Sequence, residues 1–196
     1  MVYFRIMWRK RNRHNDTHAI NRFNMTNVIV GCKTYGPIEI LYDNGVAKIN
    51  IGNYCSIAKN VKFFLGGNHN YKRISTWPFQ SCIYHRGSAS RDASLDIIIE
   101  DDVWLGYDCI VLPGAWIGKG SVIGARSVVT GVVPPYSVYV VNKVIKKRFS
   151  DDIISQLQCI DFSNINHRPD DAYALHCTSE VNPDNVKIIK QAFTAK

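Results

Sequence analysis

Histidine and cysteine are the residues with the widest chemical range in this sequence, and each occurs six times. The histidines are His14, His18, His69, His85, His167 and His176. His14 and His18 are four residues apart but lie in the basic N-terminal segment, and no other pair has the spacing expected of zinc ligands, so a metal-dependent hydratase is not supported. The cysteines are dispersed and contain no CxxC pair, so we expect reduced and mostly buried thiols rather than a zinc ribbon or a redox motif. We therefore expect no metal cofactor.

His69 has the most suggestive surroundings, because it follows Gly66, Gly67 and Asn68 in a glycine-rich stretch. Imidazole titrates close to neutrality and can remove a proton from a hydroxyl group as that group attacks. A single loop histidine is more often a surface or structural residue than a catalytic one. The role of His69 therefore depends on the elements that hold it.

Branched aliphatic residues recur at every sixth position through the second half of the chain: Ile99, Leu105, Val111, Ile117, Ile123 and Val129. The same register occurs upstream at Ile51, Ile57 and Phe63. A helix has a period near 3.6 and a strand a period of 2, so this period fits neither. It predicts an all-β fold, a left-handed parallel β-helix with about eighteen residues per turn.

Small residues accompany these aliphatic positions. Gly52, Gly106, Gly118 and Gly124 each follow one of them, and we expect these glycines to supply the backbone conformation needed at the corners. Cys55 and Cys109 lie two residues before such positions. We expect both thiols to fill the core.

The repeat lapses between Leu65 and Ile97 and then resumes in phase, which predicts a loop at 66–96 extruded from one face of the coil. Connections of this length within a compact domain are usually functional. Pro134 and Pro135 predict the end of the coil near 132–136. Ser150 is a candidate N-cap for a following helix, and 185–193 are expected to form a last one.

The organisation we infer is a basic segment at 1–30, a β-helix domain at 31–142 and a helical tail at 143–196. The 196 residues are 46% hydrophobic, which suits one folded domain, and contain neither a membrane-spanning stretch nor a signal peptide, so we expect a cytoplasmic protein. Residues 1–30 carry six Lys/Arg against one Asp, so +5 of the net +8 lies there. This segment is interpreted as a solvated end, with nucleic acid or an anionic membrane surface as alternatives.

Five motifs together resemble the hexapeptide-repeat xenobiotic acetyltransferases, which include the chloramphenicol and streptogramin acetyltransferases and many O-acetyltransferases of bacterial surface sugars. The motifs are IGNYCSI (51–57), GNH (67–69), TWPF (76–79), DVWLG (102–106) and GARSVVT (124–130). The resemblance covers about 49–149. It implies a homotrimer with three sites between subunits, each of which binds acetyl-coenzyme A.

The resemblance also implies roles for individual residues. His69 corresponds to the general base, and Tyr54, Asn68 and Trp77 are placed around the acceptor. The residues placed at the coenzyme are Trp104, Gly106, Tyr107, Ala125, Thr130, Lys143 and Lys146. Two stretches depart from the family pattern, namely Gly131 with Val132 and the short segment 140–142. Both lie at the adenosine and phosphate end.

The function that the sequence favours is acetyl-coenzyme A-dependent O-acetylation of a carbohydrate hydroxyl, as on a surface polysaccharide or lipopolysaccharide. The alternative is O-acetylation of an antibiotic such as chloramphenicol or a streptogramin. A non-catalytic scaffold or nucleic-acid binder is the rival from another class, although the motif at His69 would serve no purpose there. We expect a small molecule or a glycan as the acceptor and no nucleic acid as a partner. The basic segment is a candidate for peripheral contact with a membrane surface.

Overall fold

The computed structural model describes residues 1–43, 45–69, 71–85, 95–163 and 176–193. Part of the expected loop (Asn70 and 86–94) and part of the expected tail (164–175 and 194–196) lie outside the described residues, as does His167.

Three sheets form the sides of the coil, which is the body of the protein. Sheet 1 contains β1 (Asp16–Ala19), β3 (Tyr35–Ile38), β6 (Ser56–Ile57), β9 (Trp104–Leu105), β12 (Val122–Ile123), β15 (Ser137–Val140) and β16 (Lys143–Lys147). Sheet 2 contains β4 (Ile40–Leu41), β7 (Lys62–Phe64), β10 (Ile110–Val111) and β13 (Val128–Val129). Sheet 3 contains β2 (Val28–Val30), β5 (Ile49–Ile51), β8 (Ile97–Ile99), β11 (Trp116–Ile117) and β14 (Val132–Val133).

The chain visits sheets 3, 1 and 2 in turn, so each coil adds one strand to each sheet. The strands pair in parallel, except that β16 pairs antiparallel with β15. The expected fold class, a parallel β-helix of hexapeptide repeats followed by a helical segment, is confirmed. After the long loop β8 pairs with β5, with Ile99 beside Ile51, so the coil resumes in phase as expected.

The repeating aliphatic side chains fill the centre of the coil. The six from Ile99 to Val129 are each at most 2% exposed. Burial of each such side chain contributes about 1.5–3 kcal/mol relative to leaving it in water. Cys55 and Cys109 are fully buried among them, as expected, and burial raises the pKa of the Cys55 thiol to about 12.

The expected reason for the corner glycines is wrong. Gly52, Gly106 and Gly118 do not have positive φ; instead, a Cβ at any of them would lie within 2.8 Å of a backbone atom of the next coil. Close approach of neighbouring coils, rather than backbone conformation, therefore requires these glycines. Positive φ at the corners occurs at other residues, among them Tyr54 (φ 57°) and Asp102 (φ 57°).

The coil also continues past the two prolines, so the expected end near 132–136 is wrong. Val133 on β14 is fully buried only four residues after Val129, and Tyr139 follows six residues later, also buried. Gly131, with φ +65°, allows this shorter corner. Pro135 lies at the next corner, against Gly118.

The first residues cover one end of the coil. Helix α1 (Val2–Arg11) is followed by β1, which pairs with β3 at the edge of sheet 1. Trp8 of α1 is fully buried, its ring lies edge-on to Phe23, and its Nε1 donates to Thr17 Oγ1. Helix α1 of the basic segment therefore caps the coil, and β1 and β2 of the same segment are strands of sheets 1 and 3.

The remaining helices are α2 (Phe79–Cys82) in the loop, α3 (Asp151–Gln158) and α4 (Pro183–Phe193). Ser150 is the N-cap of α3, as predicted, although its side chain makes no capping hydrogen bond. Lys119 Nζ holds the segment after α3 against the coil by donating to the carbonyls of Gln158 and Ile160. Within the described ranges, no helix is both long and apolar enough to cross a bilayer.

Candidate functional site

His69 lies in the loop that leaves the coil after β7, at the corner between sheets 2 and 3. Its Nδ1 is 2.9 Å from the carbonyl oxygen of Thr76. Because a carbonyl can only accept, Nδ1 carries the proton of the neutral ring and Nε2 carries the lone pair. The ring is exposed, so Nε2 is free to accept a proton from a hydroxyl group.

Two further predicted residues share this loop. Asn68 adjoins His69, and Trp77 follows Thr76, the residue that fixes the imidazole. Both side chains are exposed, and Trp77 N donates to Ser75 Oγ at 3.1 Å. The predicted base and two of the three predicted acceptor residues therefore lie in the same part of the loop between β7 and β8.

Tyr54, the third predicted acceptor residue, lies elsewhere in the described chain. It occupies a corner between sheets 3 and 1, and its ring centroid is 6.1 Å from that of Phe162. Its hydroxyl is buried and has no hydrogen-bond partner among the residues that the structure describes, and burial raises the pKa of the phenol. Within one chain, Tyr54 packs under the C-terminal segment rather than beside His69.

The predicted coenzyme residues are concentrated on sheet 1. Trp104 pairs in register with Val122, Val122 with Val138, and Val138 with Lys146. Three strand spacings separate the ends of this row, about 14 Å. Trp104 is 55% exposed, so the row runs along the outside of the coil from an indole to an ammonium group.

Gly106, Tyr107 and Ala125 follow strands β9 and β12 toward the corner between sheets 1 and 2. Gly106 lies against the next coil, where a Cβ would be 2.7 Å from the Ile123 oxygen. Tyr107 accepts on its hydroxyl from Asn60 Nδ2 at 2.9 Å. Asn60 had no recognisable signal in the sequence, because only folding places it beside Tyr107.

Thr130, Lys143 and Lys146 complete the predicted set. Thr130 is exposed at the corner between sheets 2 and 3, the corner from which the His69 loop leaves. Lys143 and Lys146 are exposed on β16, which lies at the start of the region 143–196 that was expected to be a helical tail. The turn before β16 contains Val141 at φ 64°, a conformation that β-branched residues rarely adopt, which is why this hairpin was missed.

The orienting partner of His69 was also missed. It is the Thr76 backbone carbonyl, and no side-chain signal could have revealed it. Among the described residues, no group of three His, Cys, Asp or Glu is placed to hold a metal ion.

Comparison with known proteins gives a consistent result. Residues 96–131, which span β8 to β13, match the family described as bacterial transferase hexapeptide (six repeats). The chain is 39% identical over 140 residues to a probable macrolide acetyltransferase of Lysinibacillus sphaericus, an alignment that covers 67% of this chain and 78% of the relative. It is 36% identical over 126 residues to a chloramphenicol acetyltransferase of Agrobacterium fabrum, and here the alignment spans only 60% of either protein.

Among solved structures, a maltose O-acetyltransferase from Clostridium difficile 630 matches with a TM-score of 0.53 and 30% sequence identity. The match covers 69% of this chain and 67% of that one. The similarity therefore extends over the coil and is not limited to the short repeat.

Proposed function

This chain belongs to the hexapeptide-repeat acetyltransferases, and from that membership we propose that it transfers an acetyl group from acetyl-coenzyme A to a carbohydrate hydroxyl, with His69 as general base. The observation that carries the proposal is the hydrogen bond from His69 Nδ1 to the Thr76 carbonyl. In the neutral ring this bond places the proton on Nδ1 and the lone pair on Nε2, and it fixes the direction in which that lone pair points.

In the proposed reaction acetyl-coenzyme A supplies the thioester. His69 Nε2 takes the hydroxyl proton while the acceptor oxygen forms its bond to the carbonyl carbon. The imidazolium then returns that proton to sulfur as the carbon–sulfur bond breaks, so the products are an acetyl ester and the free thiol. Backbone N–H groups near the site would stabilise the negative charge that develops on the carbonyl oxygen.

The row on sheet 1 supports a coenzyme site. It begins at Trp104, continues through Val122 and Val138, and ends at Lys146 with Lys143 on the same strand. This order suits a ligand with an apolar arm and anionic phosphates, since the lysines attract the phosphates. We assign the backbone of Gly106, Tyr107 and Ala125 to the arm.

The positions of His69 and Trp104 support a homotrimer. The His69 loop and Thr130 lie at the corner between sheets 2 and 3, whereas the Trp104 row lies on sheet 1. A site that contains both is most simply built from two neighbouring subunits. We propose this assembly for the chain, and a cytoplasmic location with it.

The acceptor proposal rests on the aromatic side chains next to the base. Trp77 and Phe79 are exposed in the loop, and flat aromatic faces pack well against sugar rings. The similar solved structure is, by its name, a maltose O-acetyltransferase. A second candidate is an antibiotic hydroxyl, favoured by the names of the macrolide and chloramphenicol relatives.

The test is free-thiol release from acetyl-coenzyme A by the wild type, His69→Asn and His69→Ala. Asn places an amide N–H at the same branch point as Nδ1, so His69→Asn retains the donor to Thr76 and removes only the base. We expect both variants to lose about 10²–10⁴-fold in kcat. Turnover by His69→Asn within tenfold of the wild type would contradict the role of the base.

The same assay identifies the acceptor when it is run with simple sugars, nucleotide sugars, chloramphenicol, a streptogramin and a macrolide. Preference for a sugar by kcat/KM supports the carbohydrate proposal. Preference for a drug selects the second candidate. If no acceptor supports thiol release and no coenzyme binding can be measured, the proposed reaction is contradicted.

A further inference from the structure

Helix α1 has two apolar faces, of which only one is covered by the coil. Phe4 and Trp8 face inward and lie edge-on to Phe23. On the outward side, Val2 is 74% exposed, Tyr3 75% and Ile6 58%. Positions 2, 3 and 6 lie on one side of a helix, so they form a continuous apolar stripe.

The basic residues of this segment fall into two groups. Arg5 Nε and Arg9 Nη1 donate to the carbonyls of Ala19 and Thr17, at 3.0 Å and 2.9 Å, so they hold α1 against β1. Lys10, Arg11 and Arg13 are exposed at the end of the helix and form no ion pair with any described residue. The first 15 residues contain no Asp or Glu.

We propose that the outward face of α1 binds the surface of an anionic lipid bilayer. The helix of 10 residues is about 15 Å long and would lie flat on the membrane. Val2, Tyr3 and Ile6 would enter the boundary between headgroups and acyl chains, while Lys10 and Arg13 would contact lipid phosphates. This proposal is independent of the identity of the acceptor.

Two other occupants fit this face less well. A nucleic acid would use the cations but would leave the exposed aliphatic groups of Val2 and Ile6 in water. A second copy of the chain would cover the apolar stripe but would offer Lys10, Arg11 and Arg13 no carboxylate from its own first 15 residues, which contain no Asp or Glu. A bilayer with anionic headgroups accommodates both the stripe and the cations.

The experiment is co-sedimentation of the full chain with phosphatidylcholine vesicles that contain or lack a quarter phosphatidylglycerol. We expect binding to the anionic vesicles, weakened by added salt. Lys10→Gln and Arg13→Gln should each weaken it about fivefold. Ile6→Asp should weaken it at least about tenfold, and Ile6→Ser, which adds no charge, should weaken it less than Ile6→Asp.

Strand β16 provides a matched control, because it exposes Val144 and Ile145 beside three lysines at the other end of sheet 1. Ile145→Asp should bind the anionic vesicles as the wild type does. Circular dichroism melting should show that Ile6→Asp and Ile145→Asp are folded.

Three results would overturn the proposal. The first is equal binding to vesicles with and without phosphatidylglycerol, or no binding to either. The second is loss of binding in Ile145→Asp but not in Ile6→Asp. The third is self-association that Ile6→Asp abolishes without any vesicle binding, which would assign the face to a second copy.

Discussion

Replacement of Gly118 by alanine tests the close approach of neighbouring coils. A Cβ at this position would lie 2.5 Å from Pro135 N and 2.8 Å from both Pro135 Cα and Cδ. Ordinary contact begins near 3.4 Å, so one coil must move by about 0.9 Å against the other. The atoms in the way are backbone and a proline ring, and neither can rotate aside.

The displacement would strain the hydrogen bond from Gly118 N to the Val133 carbonyl, which is 2.9 Å long. Overpacking of this kind costs typically about 1–3 kcal/mol, and the rigid neighbours place Gly118→Ala at about 2–3 kcal/mol. For a chain of this length, 1 kcal/mol corresponds to about 2–4 °C in Tm. We expect Tm to fall by about 4–12 °C.

The assay is thermal unfolding followed by circular dichroism, with Gly124→Ala as the matched control. Gly124 has the same place in the repeat, but its added Cβ would be 3.1 Å from Val140 Cγ2, the end of a side chain. Alanine also lowers the entropy of the unfolded chain, so Gly124→Ala should stay within about 1 kcal/mol of the wild type. If both variants melt together, the close-approach argument is refuted.

Three further predictions concern stability and thiol reactivity. Lys119→Met removes two charge-assisted hydrogen bonds to the C-terminal segment and should lower the free energy of unfolding in urea by about 1.5–3 kcal/mol. Its control, Lys62→Met, breaks a partly exposed ion pair and should lower that free energy by less than about 1 kcal/mol. Equal losses in the two variants would show that the Lys119 hydrogen bonds add no more stability than a surface ion pair. Tyr54→Phe removes a buried hydroxyl that has no hydrogen-bond partner within the described ranges, and it should raise the free energy of unfolding by about 1 kcal/mol. A lower Tm for this variant would show that the hydroxyl is bonded. At pH 8 iodoacetamide should label the exposed Cys82 in the folded protein and leave Cys55 unmodified, because a pKa of about 12 keeps the Cys55 thiol protonated. Peptide mapping that finds the two cysteines equally modified would contradict this prediction. Because the pKa of Cys55 is raised in the folded state, its contribution to stability is present below its ordinary pKa and is lost as pH rises toward about 12.

Much of the candidate site was predictable because its residues lie in short contiguous motifs. Asn68, His69 and Trp77 are within nine residues of one another, so one loop holds them whatever the packing elsewhere. Tyr54 was assigned by its motif to the acceptor, yet it packs against Phe162, more than a hundred residues later. Contacts at such separation depend on how the tail returns to the coil, which no local pattern records.

The residue pattern alone predicted the coil, because burial of one aliphatic side chain in every six is a periodic property that can be read along the chain. It also predicted where the coil is interrupted, and it places two histidines, His69 and His85, in the interruption. Folding defined the tautomer of His69, the row from Trp104 to Lys146 and the two further strands of the coil after Gly131, β14 and β15. Each depends on a backbone group or a dihedral angle that becomes defined only when the strands stack, so residue types alone could not specify it.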